Sequence, residues 1–387
     1  MDISYILNHL GEERDEYYGS VTPPIFQTSN FSFKTVDGMR QQLKKELEIP
    51  FYTRGFNPTV GILRKKIAAL EKTEDALVFS SGSAAVAAAV MSVVKAGDHV
   101  VCVEKPYSWT NNLLSKYLSK YGVTTTFVNG TKSENFEHAI QSNTKLIYLE
   151  TPNSLTFELQ DLTAIAGIAK AKNITTIADN SYCSPLNQNP IVFGIDIIIH
   201  SATKYLNGHS DVVAGVVCST KEHIKKMMLE EYMTIGSIIS PYEAAMIIRG
   251  LRTLEIRMNK SNETTQKVIQ FLEQQPRVKK VYYPFSENNT QLALAKIQMK
   301  NSGGLFSLVL NADNVEQVEK FCNSLNYFLM ATSWGGYESL MFPLCALGSS
   351  KSFENPLPWN LIRFYIGLED ADVLINDFKQ ALEKIEE

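Results

Sequence analysis

A lysine amine flanked by hydroxyls and glycine follows a short apolar run in this chain. The run, residues 196–200, reads DIIIH and leads into SATKYLNGHSD, residues 201–211, where Lys204 carries the amine. A β-branched segment of that length is a buried strand of a parallel sheet. Lys204 then stands past the strand's C-terminal end, the edge of an open α/β sheet where ligands bind, and its amine can meet a cofactor there. Taken alone, a Ser-x-Thr-Lys string is more often a surface lysine in a polar loop. The longer string and its partners shift that balance.

The strand-like ALVF runs into SSGSAAVAAAV, where Gly82 permits a tight turn and the alanine-rich run begins a helix. Free N–H groups at a helix start can hold phosphate. Ser81, Gly82 and Ser83 are candidates for that cradle, with hydroxyls of Ser201 and Thr203 added from the lysine loop; ordinary serine N-capping is the alternative. Asp179 ends TTIAD, either as a turn residue or as the anion that keeps a pyridinium nitrogen protonated so that the ring accepts electrons. Tyr107, after VVCVEKP, can stack on such a ring or be a half-buried loop tyrosine. Tyr52 and Arg54, in FYTRGFNPTVG, can bring a phenol and a forked guanidinium to phosphate, or be solvated. Arg363 interrupts the apolar LIRFYIGLED and needs a partner, whether a substrate carboxylate or a structural ion pair.

These residues need an α/β scaffold to bring them together. Strand patterns at 76–79, 100–103, 146–149, 175–178, 195–200 and 212–218 alternate with helical ones, as in one large, mostly parallel sheet. Residues 242–271 carry the pattern of one long amphipathic helix bridging into a second domain, with strands at 304–310 and 361–366 and a closing helix at 371–385. The expected organisation is an N-terminal arm over 1–50, a large domain over 51–241 and a small C-terminal α/β domain over 242–387. The proline-containing VTPPIFQTSNF makes the arm an extended segment of the kind that packs on another subunit.

The 387 residues carry 37 Lys plus Arg against 41 Asp plus Glu, a balance that offers no broad basic surface for nucleic acid or anionic lipid. No stretch approaches the ~20 apolar residues of a membrane span, and the first residues lack a basic-then-apolar leader, so a cytoplasmic protein is expected. The five cysteines are scattered, without a C-x-x-C pair, and the six histidines lack ligand spacing, so no metal site is expected. No G-x-G-x-x-G or Walker-type string supports a nucleotide enzyme.

In chain order, YTRGFNPT, ALVFSSGSAA, YLETPNSLTFELQD, IADNSY, SATKYLNGHSDVVAG, SWGGYESL and LIRFYIGLED resemble the Cys/Met-metabolism family of pyridoxal phosphate (PLP) enzymes. That family includes cystathionine lyases and synthases and has the aspartate-aminotransferase-like fold type I. The resemblance implies that Lys204 bonds to the cofactor, Asp179 pairs with its pyridine nitrogen and Tyr107 stacks on its ring. It implies phosphate contacts from Gly82, Ser83, Ser201 and Thr203, and from Tyr52 and Arg54 toward a neighbouring subunit. Ser333 and Arg363 match positions that hold the α-carboxylate of an amino-acid substrate. The implied assembly is a homotetramer, a dimer of dimers with shared sites.

The implied activity is carbon–sulfur cleavage, foremost that of a cystathionine β-lyase making homocysteine, pyruvate and ammonia. SWGGYESL, the ATKYL–GHSD form of the lysine loop and Ser154, where many relatives carry Asn, resemble bacterial β-lyases. Thr332, where γ-acting relatives carry Glu, points the same way; YTRGFNPT looks more like γ-type members. PYSWT matches neither pattern, and Trp109 can reshape the substrate pocket. A cystathionine γ-synthase or γ-lyase is the alternative, and a catalytically silent protein that keeps the fold and cofactor is a third reading.

Overall fold

The computed structural model describes residues 1–347 and 357–385. Seven strands form the larger sheet: β1 (Asp75–Phe79), β2 (His99–Val103), β3 (Thr124–Val128), β4 (Thr144–Glu150), β5 (Thr175–Asp179), β6 (Ile197–Ser201) and β7 (Gly215–Ser219). Their order is β1-β7-β6-β5-β4-β2-β3. The pairings from β6 to β3 are parallel, and β7 runs antiparallel to both β1 and β6. The sheet is therefore mostly parallel, as expected.

Both faces of this sheet are covered, which is why its strands read as near-continuous apolar runs. Leu77, Phe79, Tyr148, Ile177 and Ile199 pack on one face with the helix Gly82–Met91. On the other face, Val78, Ile198 and Val216 join the helix Pro58–Glu71, while Val101, Ile147 and Ala178 join the helix Leu162–Ala171. β3, the threonine-rich TTTFV, was not legible as a strand because it is an edge strand with little apolar signal.

The second sheet has five strands: β8 (Val278–Tyr282), β9 (Leu305–Leu310), β10 (Leu329–Met330), β11 (Leu340–Pro343) and β12 (Leu361–Tyr365), in the order β10-β11-β12-β9-β8. Phe306, Leu308, Ile362 and Phe364 point into a core closed by the helices Leu254–Leu272, Val315–Ser324 and Ala371–Lys384. Strand alternation therefore sends Arg363 to the opposite face, which explains a charge inside an apolar run.

Two expectations need correction. The bridging helix is two helices, Pro241–Leu251 and Leu254–Leu272. At the break, Arg257 donates to the carbonyls of Gly250 and Tyr205, each at 2.9 Å, and Thr253 Oγ1 donates to Gly250 O. A Cβ on Gly250 would lie 2.1 Å from Asn207 O, so helix backbone presses directly on the lysine loop there. Nothing in the apolar periodicity records that contact.

The arm is also not extended throughout. Its start forms a helix, Ile3–Asn8, capped by Asp2, and Ile6 and Leu7 are buried in the core. Lys66 is fully buried and donates to the carbonyls of Ile6 and Leu7 at 3.0 and 3.1 Å while pairing with Glu12 at 3.1 Å. Beyond it the arm is open to solvent, with Tyr18, Val21, Val36 and Leu43 exposed. Among the described residues no helix is long and apolar enough to cross a membrane, and no cluster of His, Cys, Asp or Glu could hold a metal ion.

Removing one partner of a buried ion pair costs about 3 kcal/mol or more. Lys66→Ala is accordingly expected to release the N-terminal helix, seen as faster hydrogen exchange over residues 3–10; unchanged protection there would show that the buried amine does not hold it.

Candidate active site

β4, β5 and β6 end almost level, with Glu150 opposite Asp179 and Asp179 opposite Ile199. Past these ends opens a cleft of about 1380 Å³, closed on its far side by Thr332, Ser333, Trp334 and Arg363 around the second sheet. Ser81, Gly82, Ser83, Tyr107, Asp179, Ser201, Thr203 and Lys204 also line it, so parts of the chain more than a hundred residues apart converge there.

At one end is the start of the helix Gly82–Met91. Ser81 is its N-cap and its Oγ accepts from Ala84 N at 3.1 Å, while the amides of Gly82 and Ser83 have no acceptor within the helix. A Cβ on Gly82 would stand 3.1 Å from Ser201 Oγ, and one on Gly215 would lie 2.2 Å from Ser81 O. The two glycines let bare backbone and a serine hydroxyl close into a concave cradle for an anion. Thr203 lines the cleft, but its Oγ1 donates to Ala214 O at 3.2 Å and accepts from Ala214 N at 3.0 Å. Its hydroxyl braces the connection between β6 and β7 as well as facing the cleft.

Lys204 Nζ donates to Ser333 Oγ at 2.6 Å and lies 5.4 Å from the centre of the Trp334 ring. Gly335 makes this crossing possible: its φ is +88°, and a Cβ there would meet Tyr205 N at 2.8 Å. Burial and then the nearby Arg363 pull the Lys204 amine down to about 8, against the opposing charge of Asp179. An amine of that basicity is neutral in a sizeable fraction of molecules near neutral pH and can act as nucleophile or base.

Asp179 is buried, and its Oδ1 accepts from Ser181 N at 2.9 Å. Burial raises its carboxyl, while the Ser181 hydrogen bonds, His200 and Lys204 favour the charged form. His200, fully buried, is hydrogen-bonded to the buried Glu71, which also accepts from Asn180 Nδ2 at 2.8 Å. Arg363 donates to the Thr332 carbonyl and lies 5.5 Å from the Phe342 ring centre. Burial lowers the Arg363 guanidinium to about 10, so it remains a cation at neutral pH. It forms no ion pair among the described residues, which leaves its charge for an anion entering the cleft.

Tyr52 and Arg54 are not brought to this cleft. Both are exposed, with the guanidinium 5.7 Å from the Tyr52 ring centre. Sequence reading also missed Glu150. It is buried at the end of the apolar β4 just as Asp179 ends β5, so the strand-end rule that found Asp179 applies equally to it.

A mostly parallel sheet with a helix N-terminus, a low-basicity lysine and an acid at its C-terminal edge defines a cofactor-dependent α/β enzyme. The chain matches the Cys/Met metabolism PLP-dependent enzyme family over residues 5–383 and belongs to it. It is 38% identical to an L-methionine gamma-lyase of Treponema denticola (97% of this chain, 96% of that protein). It is 36% identical to a cystathionine gamma-lyase of Bacillus subtilis (98% and 99%) and to a cystathionine beta-lyase of Lactococcus lactis (97% and 97%). In structure it resembles the metB protein of Corynebacterium glutamicum, with TM-score 0.92 and 34% identity, covering 99% of this chain and 98% of that one. The fold is therefore fold type I, and the protein is a PLP-dependent carbon–sulfur lyase of cysteine and methionine metabolism.

The donor set fits PLP: a backbone cradle for its phosphate, an amine for its aldehyde and a buried acid for its ring nitrogen. Only the neutral amine attacks an aldehyde, so protonation blocks the reaction and its rate rises with pH through the amine's pKa. Cofactor uptake by the apoenzyme is expected to accelerate with an inflection near 8 rather than near 10.5. Stopped-flow absorbance across that range checks it; a rate still rising steeply above pH 9 would contradict the lowered basicity.

Proposed function

We propose that this lyase acts on cystathionine by β-elimination, yielding homocysteine, pyruvate and ammonia. The observation that carries the reading is the contact of Lys204 with Ser333 beside Thr332. Threonine has no acid–base group for the second proton removal, at Cβ, that γ-elimination adds. One base suffices to take the single Cα proton that β-elimination requires.

In this reading Arg363 binds the substrate α-carboxylate and Ser333 adds a hydroxyl beside it. Bound PLP supplies the electron sink that acidifies Cα. The neutral Lys204 amine takes the Cα proton. Asp179, as an anion, keeps the ring nitrogen protonated, and the Gly82, Ser83 and Ser201 cradle, with Thr203 alongside, anchors the phosphate. Tyr107 covers the ring and passes to the departing sulfur, as the Cβ–S bond breaks, the proton that Lys204 took from Cα. The remaining three-carbon fragment takes up water and leaves as pyruvate and ammonia. Trp334, Phe342 and Leu155 give the cleft apolar walls for the thioether chain.

Tyr52 and Arg54 complete the cleft of a second copy, in a homotetramer built from dimers; their exposure and the open apolar arm support this. The free state of all five cysteines fits the reducing cytoplasm. A second reading, γ-elimination, is supported by the relatives named methionine and cystathionine gamma-lyase.

Holoenzyme incubated with L-cystathionine is expected to release pyruvate, identified by mass spectrometry, whereas 2-oxobutyrate would establish the second reading. A hydrogen bond to a charged group contributes about 1.5–3 kcal/mol, so Arg363→Ala is expected to raise KM by about 10- to 100-fold. An unaltered KM would remove Arg363 from the carboxylate site. For the shared site, the inactive variants Lys204→Ala and Arg54→Ala, unfolded and refolded together, are expected to regain turnover that neither shows alone. Continued inactivity of refolded mixed oligomers would mean that each chain completes its own site.

A further inference from the structure

Glu150 is buried, lines the cleft and has no part in the chemistry above. Its Oε2 accepts from the Tyr107 backbone N–H at 2.6 Å, across 43 residues of chain. Its own N–H is held at 3.2 Å by Gln160 Oε1, so the strand end carrying it is fixed. The segment it grips needs fixing: Lys105 has φ +57°, a conformation uncommon for a residue with a Cβ, and Tyr107 is 43% exposed at the start of a helix of only five residues. A second tether, Lys105 Nζ to Glu158 at 3.2 Å, restrains the same turn but is partly exposed, where ion pairs contribute little.

We propose that Glu150 is a positioning residue: its buried carboxyl clamps the turn at residues 104–107 to the strand end beside Asp179 and thereby sets the Tyr107 ring over the cofactor. The proposal rests on the reading that Tyr107 covers that ring.

The groups facing Glu150 act on its charge in opposite senses, Asp179 against the carboxylate and Arg363 for it. Asp179 stands opposite it on β5 and Arg363 acts on it from β12, while its sheet neighbours are Tyr148 on β4 and Cys102 on β2. Burial first, and then the Asp179 charge, push the Glu150 carboxyl up to about 8, although hydrogen bonds from Tyr107 and Ser154 oppose this. The upward shift favours the protonated carboxyl, which spares Asp179 a second negative charge beside it. Glutamine, neutral and able to accept from Tyr107 N, is the faithful replacement. Alanine removes the acceptor and leaves the amide unpaired.

The test compares Glu150→Gln, Glu150→Ala and Tyr107→Ala as holoenzymes, reading the circular dichroism of the bound cofactor and the PLP dissociation constant alongside kcat and KM. Thermal melting of each confirms that it folds. Glu150→Ala is expected to alter the cofactor dichroism in the same sense as Tyr107→Ala, to weaken PLP binding about tenfold, the loss of one net hydrogen bond, and to lower kcat more than it raises KM. Glu150→Gln is expected to recover most of the dichroism and affinity. Should Tyr107→Ala change the dichroism while Glu150→Ala does not, the clamp is overturned and the Tyr107 reading stands. If Tyr107→Ala changes nothing, the reading of Tyr107 falls and the clamp with it. If Glu150→Ala fails to fold, Glu150→Gln decides: wild-type dichroism supports the clamp, and dichroism like that of Tyr107→Ala overturns it.

Discussion

The Lys204 amine meets the Ser333 hydroxyl at 2.6 Å across the seam between two sheets, and the rest of the cleft is arranged around that crossing. A lysine in water is a hydrated cation that is neither nucleophile nor base. Here burial and the like charge of Arg363 bring it down to about 8, so the cleft itself makes the amine reactive. That effect requires the second sheet to close over the first. The closure depends on a close backbone approach, Gly335 against the lysine backbone, while Gly250 presses helix backbone onto the same loop at the carbonyl of Asn207.

Charge is divided along the same seam. The large sheet contributes two acids level with each other, Glu150 and Asp179, while the small sheet contributes Arg363 without an ion-pair partner among the described residues. An anion entering from solvent finds a cation on one wall. The other wall carries the acids. Two carboxyls that close compete for ionisation, and burial raises both, so the site is polarised toward one neutral and one charged member. The buried Glu71–His200 pair lies close by, and its imidazole favours the charged form of Asp179.

Much of this was legible from local chemistry. A β-branched run followed by a hydroxyl-rich turn identifies a buried strand and the edge past it, and this rule located Lys204 and Asp179; Gly82 before an alanine-rich run likewise marks a helix start. The edge strands of mixed composition, β3 and the lysine-bearing β8, were missed because their exposed residues leave little apolar pattern, unlike the covered edge strand β1. The helix break at Arg252–Thr253 was missed because the apolar period continues through it while Arg257 and Thr253 satisfy the freed carbonyl. Glu150 was passed over although it ends its strand as Asp179 does, since its role lies in a bond to a backbone amide 43 residues away.

Residue order and type alone determined the α/β class, the seven motifs that mark the family, and the Lys204, Asp179 and Gly82 positions in the cleft, because strand ends and helix starts announce themselves through local composition. Only the tertiary structure decided the lowered basicity of Lys204, the placement of Arg363 without an ion pair among the described residues, the engagement of the Thr203 hydroxyl by Ala214 and the exclusion of Tyr52 and Arg54 from their own chain's cleft. Each of these depends on desolvation or on distances between segments remote in sequence, and such quantities exist only once the chain has packed.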